Sequence, residues 1–294
     1  MDSGEYWRPS VWTDAHHHVW DPTRRPQPWM DPTWPINRPF DADDLAAAAR
    51  GTPVSSSIVV QTTPRLDETI DLLDLAHANP SVTGVVGWLD LLTPLSPQLD
   101  ALSTSEGIAH LVGIRHQAED EHDQQWLARD DVGAAIRQLG RYDLAFDLLV
   151  RPHQLQAAIT LARATATTTR LVLNHCGKPP IGDDLTTWRS RFNELAGFDH
   201  VACKLSGLVT EANWSRWTHS DLEPVAHAAL DAFGPERLMF GSDWPVCLLA
   251  ASYAEVVTTA KDLTARLSRS ERAAIFSGTA RKWYRLPSRE EDRC

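Results

Sequence analysis

Short runs of β-branched and other apolar residues alternate along this chain with longer segments carrying an apolar residue every three or four positions. The short runs fall at residues 11–16, 57–61, 83–89, 111–115, 144–148, 171–174, 201–205 and 238–241. Each is too brief for a helix and reads as a buried strand. In Leu66–Ala78, the apolar residues Leu66, Ile70, Leu73 and Ala76 recur at helical spacing, the stripe of a helix packed on a sheet. Segments 132–141, 154–166, 222–233 and 253–267 read the same way. Eight strands alternating with helices predict an α/β chain folded as one (β/α)8 TIM-like barrel, a single domain over residues 1–294. A doubly wound open sheet alternates similarly, but no G-x-G-x-x-G or Walker-type loop follows the first strand.

The stretch 21–39 is rich in Pro and Trp and too apolar for a flexible tether. It predicts a long first βα loop, about residues 21–44, folded over the barrel mouth. The charged tail, 288–294, predicts a frayed end. No internal repeat or low-complexity segment interrupts the pattern.

Of the 294 residues 43% are apolar, ample for one large core, and 28 basic against 39 acidic residues leave a net charge of −11. Such a surface attracts neither nucleic acid nor an anionic membrane. Cys176, Cys203, Cys247 and Cys294 are scattered without a C-x-x-C pair, as expected of free thiols in a reducing compartment. The first twelve residues hold no apolar core of a signal peptide, and no apolar stretch is long enough for a bilayer. A soluble, cytoplasmic enzyme is the expectation, and a homo-oligomer is compatible with it.

The chemistry concentrates at predicted strand ends. The first strand runs into Asp14-Ala15-His16-His17-His18-Val19-Trp20, and alternation in an extended chain turns His16 and His18 to one face and His17 to the other. Two converging imidazoles suit a divalent metal or a carbonyl oxygen. A purification-tag remnant would be longer and terminal. The sixth strand ends at His175, before Cys176-Gly177-Lys178-Pro179, and the eighth runs into Gly241-Ser242-Asp243-Trp244-Pro245. His175 alone is equally a buried structural histidine, and Asp243 alone equally a helix N-cap. Together with His16 and His18 they read as convergent groups at the face where barrel enzymes keep their active sites. There Asp243 can serve as metal ligand and general base. No Ser or Cys stands in a triad arrangement.

These blocks, with Gly113-Ile114-Arg115-His116-Gln117, Ala145-Phe146-Asp147-Leu148-Leu149 and Lys204-Leu205-Ser206-Gly207-Leu208, resemble the amidohydrolase superfamily over essentially the whole chain. Within it they look like the sugar-lactone hydrolases of the L-fuconolactonase and L-rhamnonolactonase type. The resemblance implies a metal-dependent-hydrolase barrel of carbohydrate metabolism, with catalytic His16, His18, His175 and Asp243. It implies either one Zn²⁺ on those four residues or no metal at all. No lysine or glutamate stands where the bridge of a two-metal centre belongs, and no organic cofactor is implied. The expected reaction is water attack on an aldonolactone, with Asp243 as base and the three imidazoles, or a metal on them, polarising the carbonyl. Arg115, His116, Lys178, Trp20 and Trp29 are the expected substrate contacts. For the cations, ion pairs with Glu119-Asp120-Glu121 are the structural alternative. Three other readings remain: a metal-dependent decarboxylase, a pyrone-dicarboxylate lactonase on the same scaffold, and a non-catalytic sugar-acid binding protein.

Overall fold

The computed structural model describes residues 11–286. Eight parallel strands run in sequence order: β1 (Trp12–His17), β2 (Val54–Val60), β3 (Val82–Gly87), β4 (Leu111–His116), β5 (Ala145–Leu148), β6 (Leu171–Leu173), β7 (Val201–Leu205) and β8 (Leu238–Phe240). The ring closes just past β8. His17 and Trp244 form a parallel bridge, the Asp243 amide donates to the His16 carbonyl at 2.8 Å, and the His18 amide donates to the Trp244 carbonyl at 2.7 Å. Closure therefore brings the end of β8 against the end of β1, as the barrel expectation requires.

Two apolar layers hold the ring. One lies between strands and outer helices. The other fills the barrel with Ala15, Ile58, Val60, Val86, Val172 and Met239, among others. This inner layer is stopped at its base by Ala280, Trp283, Tyr284 and Leu286 from the helix Thr279–Trp283 and the turn after it. The sequence pattern assigns no element to this plug, nor to the helices Ala42–Ala48, Leu95–Leu102 and Thr186–Ala196. The expected helix Leu66–Ala78 forms, but its buried face is Glu68, Thr69, Leu72, Leu73 and Ala76, rotated from the apolar stripe. The reason is Glu68. Its buried carboxylate accepts hydrogen bonds from the amides and hydroxyls of both Thr62 and Thr63, pinning the turn after β2.

The first βα loop brings Trp29 and Trp34 to the mouth of the barrel. It is anchored by a Trp20–Phe40 bridge and ends at Asp41, whose carboxylate caps the helix Ala42–Ala48. Among the described residues Cys176, Cys203 and Cys247 are free and buried, and no helix is long and apolar enough to cross a membrane. The expected frayed tail and Cys294 lie outside the described residues.

Candidate active site

An irregularity in β1 places its histidines. Thr13 and Ala15 face inward, Thr13 against Ser56 and Ala15 in the inner layer. Strict alternation would then send His16 outward. Instead Asp14 pairs with Ser57 and His17 with Val59, so β1 spends one residue more than β2 between these points. The extra residue is a bulge, which re-aims the side chains beyond it. His16 and His18 turn inward, and His17 lies buried on the other side, as the local alternation predicts. Asp14 stabilises the bulge, because its Oδ1 accepts from the His16 amide at 3.1 Å and the Ser242 amide at 2.8 Å. Burial pushes the Asp14 carboxyl up to about 6, against these hydrogen bonds.

His175 and Asp243 reach the same point through left-handed backbone, with φ of 51° and 58°. Such conformations cost about 1–3 kcal/mol each in non-glycine residues and cluster at functional sites. Asp243 Oδ1 lies 3.4 Å from His18 Nε2, 3.7 Å from His16 Nε2 and 3.8 Å from His175 Nε2. The two β1 rings have their Nε2 atoms 3.2 Å apart. His18 Nδ1 donates to the Val60 carbonyl at 2.7 Å, and His175 Nδ1 pairs with Ser206 Oγ at 2.9 Å.

Burial lowers all three imidazoles, His175 to about 3, and His16 and His18 well below their usual range. Burial raises Asp243, opposed chiefly by His175. The rings are therefore neutral at physiological pH.

The donor set suits a tetrahedral cation. Ligands about 2.0–2.1 Å from zinc stand about 3.3 Å from one another, close to the 3.2–3.8 Å separations found here. Ligand atoms of His16, His175 and Asp243 all lie within 4.8 Å of one another. His18 and His175 also have the oxygen partners that orient ligating imidazoles. His16 differs, because its Nδ1 faces Lys204 Nζ at 3.3 Å.

His18, His175 and Asp243 line a cleft of about 450 Å³ with Trp29, Trp34 and Trp214, and His16 lies fully buried behind them. A larger cleft of about 810 Å³, beside Trp12 and Arg50, contains no buried titratable group and lies where the strands begin. Of the expected contacts, Arg115, Lys178 and Trp29 line the cleft that holds Asp243. His116 and Trp20 do not. His116 stacks on Trp126 at 4.0 Å and bonds Glu121 at 2.8 Å, because Arg115 takes the inward position on β4. Trp20 is buried, with Nε1 donating to the carbonyls of Ile36 and Arg38, so it buttresses the loop.

Lys178 Nζ lies 2.6 Å from Glu119 and 3.9 Å from Glu211, and Arg151 lies 3.6 Å from Glu119. Arg115 donates to the Gln61 carbonyl. Beneath the histidines, Asp147 accepts from Lys204 Nζ at 2.7 Å, Asn174 Nδ2 at 2.9 Å and the Tyr284 hydroxyl at 2.6 Å. Sequence reasoning gives none of these four a role in the site. A charged residue at an inward strand position is the signal that could have found Asp147 and Lys204.

A family described as Amidohydrolase matches residues 13–286. An L-fucono-1,5-lactonase of Burkholderia multivorans is 42% identical over 288 residues, which are 93% of this chain and 96% of that protein. An L-fucono-1,5-lactonase of Burkholderia ambifaria is 36% identical over 93% of this chain and 95% of its own length. The crystal structure of an amidohydrolase from Burkholderia multivorans with bound zinc is 39% identical. It covers 94% of this chain and all of its own, with a TM-score of 0.88.

Proposed function

This chain belongs to the amidohydrolase family, and from that premise we propose that it hydrolyses the cyclic ester of a sugar-derived aldonolactone, L-fucono- or L-rhamnono-lactone-like. One observation carries this reading. Three neutral imidazoles converge within 3.8 Å of a single buried carboxylate oxygen at a barrel mouth, in a chain 42% identical to an L-fucono-1,5-lactonase.

Asp243 takes a proton from the attacking water, a role strengthened by the burial that raises its basicity. His18 and His175 face the cleft where the carbonyl oxygen gathers charge, His16 backs His18 at 3.2 Å, and Arg115 lines the same cleft. When the ring C–O bond breaks, the proton held by Asp243 passes to the departing ring oxygen, leaving a hydroxy acid and a regenerated carboxylate. One Zn²⁺ held by His16, His18, His175 and Asp243 would supply Lewis-acid polarisation of the carbonyl.

The mouth favours a neutral polyol over a dicarboxylate. Its cations already face Glu119, Glu211 or the Gln61 carbonyl. Glu119, Asp120 and Glu211, all lining the cleft, are acceptors for sugar hydroxyls and repel a second carboxylate. Trp29, Trp34 and Trp214 offer apolar walls to the carbon faces of a sugar.

The test is a pH-indicator screen of aldonolactones, with and without chelator, on protein whose zinc content has been measured. Opening of a deoxy-aldonolactone is expected, and its sensitivity to chelator decides the metal. Release of carbon dioxide from an aromatic acid, with no lactone opened, would replace this reading with the decarboxylase.

A further inference from the structure

His16 is the member of the trio whose second ring nitrogen meets a nitrogen. His18 Nδ1 has the Val60 carbonyl and His175 Nδ1 has Ser206 Oγ, whereas His16 Nδ1 lies 3.3 Å from Lys204 Nζ. Lys204 is fully buried and 2.7 Å from Asp147. That carboxylate also accepts from Asn174 Nδ2 and the Tyr284 hydroxyl, which hold it in place against Lys204.

A lysine ammonium has three donors and no acceptor. The ring nitrogen facing it must therefore carry a lone pair, which leaves the proton of neutral His16 on Nε2. The next links agree in direction. His18 spends its Nδ1 proton on Val60, so His18 Nε2 is an acceptor, 3.2 Å from His16 Nε2. Arg115 Nη1 lies 3.4 Å from His16 Nε2 and also 3.4 Å from Asn174 Oδ1, and that oxygen can receive its proton. The run Lys204, His16, His18, Val60 thus passes donor to acceptor at every step.

We propose that Lys204 is a positioning residue that sets the tautomer of His16, holding an Nε2–H toward the pocket and opposing the use of that nitrogen as a metal ligand. A neutral imidazole has one lone pair. If it is turned to zinc through Nε2, the Nδ1 proton points at an ammonium that can only donate. The four-ligand geometry is therefore sound, but one ligand is held in the tautomer that zinc does not bind. The buried network imposes this whatever ester the cleft accepts, and its test uses no substrate.

The full chain, labelled with ¹⁵N-histidine and stripped of metal, is examined by long-range proton–nitrogen correlation. The wild type is compared with the double variant Lys204→Met/Asp147→Asn, which removes both charges so that neither stays buried alone, and with Lys204→Arg. Zinc affinity is measured for each by competition with a chelator. The expected result is an Nε2–H signal for His16 in the wild type and in Lys204→Arg. In the double variant the proton should move to Nδ1, and zinc should bind about 10–100-fold more tightly, the usual reach of a partner behind a metal ligand. An Nδ1–H signal for His16 in the wild type overturns the proposal, even if neither variant folds. So does a folded double variant with unchanged tautomer and unchanged zinc affinity.

Discussion

Gly207 is the position where one methyl group should separate catalysis from stability. It follows Ser206 at the end of β7 and adopts φ +66°. A Cβ placed there would lie 2.6 Å from His175 Nδ1, 2.8 Å from Cγ and 3.2 Å from Cβ. Ordinary carbon contacts begin at about 3.5 Å, so the ring must retreat by about 1 Å. It cannot do so and keep both its 2.9 Å contact with Ser206 and its approach to Asp243. Misplacement by about 1 Å costs about 10²-fold in rate. The left-handed backbone adds about 1–2 kcal/mol of strain for alanine, and each kcal/mol lowers the melting temperature of a chain this size by about 2–4 °C.

Gly207→Ala should therefore melt a few degrees lower and lose kcat by about two orders of magnitude. Gly182→Ala is the matched control, because Gly182 has φ +95° and nothing within 4 Å of a new Cβ. It should bear the strain and keep its kcat. Melting curves followed by circular dichroism and lactone-opening kinetics on both variants provide the comparison. Equal kcat in the two folded proteins would refute the placement of His175.

Asp243→Asn should retain lactone binding and lose kcat by about 10²–10⁴-fold, the usual reach of a positioned base, and a loss confined to KM would contradict that role. In a pH profile of kcat/KM, the base form of Asp243 should disappear as pH falls through a value above the ordinary aspartate range, because burial raises it. His175 stays neutral until about 3, so the acid side should show one limb and no second histidine limb near neutrality. Activity that climbs on acidification would be inconsistent with a carboxylate base. Tyr284→Phe takes the hydroxyl from Asp147, a buried bond of 2.6 Å, and should destabilise the fold by about 1–3 kcal/mol in denaturant melts. An unchanged midpoint would mean that the plug does not support the network.

The barrel is legible in the sequence because parallel strands buried on both faces read as short apolar runs, and each such run is found as a strand within a few residues. The helices that escape such a reading are short, as in Ala42–Ala48 and Leu95–Leu102, or polar, as in Thr186–Ala196, where Trp188, Phe192 and Leu195 carry the buried face amid charged neighbours. Strand ends also reveal His16, His18, His175 and Asp243, because barrel closure forces those ends together. What a single sequence does not supply is parity through a bulge. Nothing in Asp14-Ala15-His16 announces that Ala15 and His16 both face inward, since that depends on register with Ser57 and Val59.

Where no bulge intervenes, parity alone is enough. Arg115 and His116 are successive residues of one strand and cannot both enter the barrel, so an inward Arg115 excludes His116. The same rule applied to β5 and β7 puts Ala145 with Asp147, and Ala202 with Lys204, on the inner wall. A charged side chain there cannot reach water, and it persists only if it meets another charge or a polar group that can bond it. Lys204 meets both, Asp147 on one side and His16 on the other. The cost of burying that pair is therefore physically tied to the state of a histidine in the site.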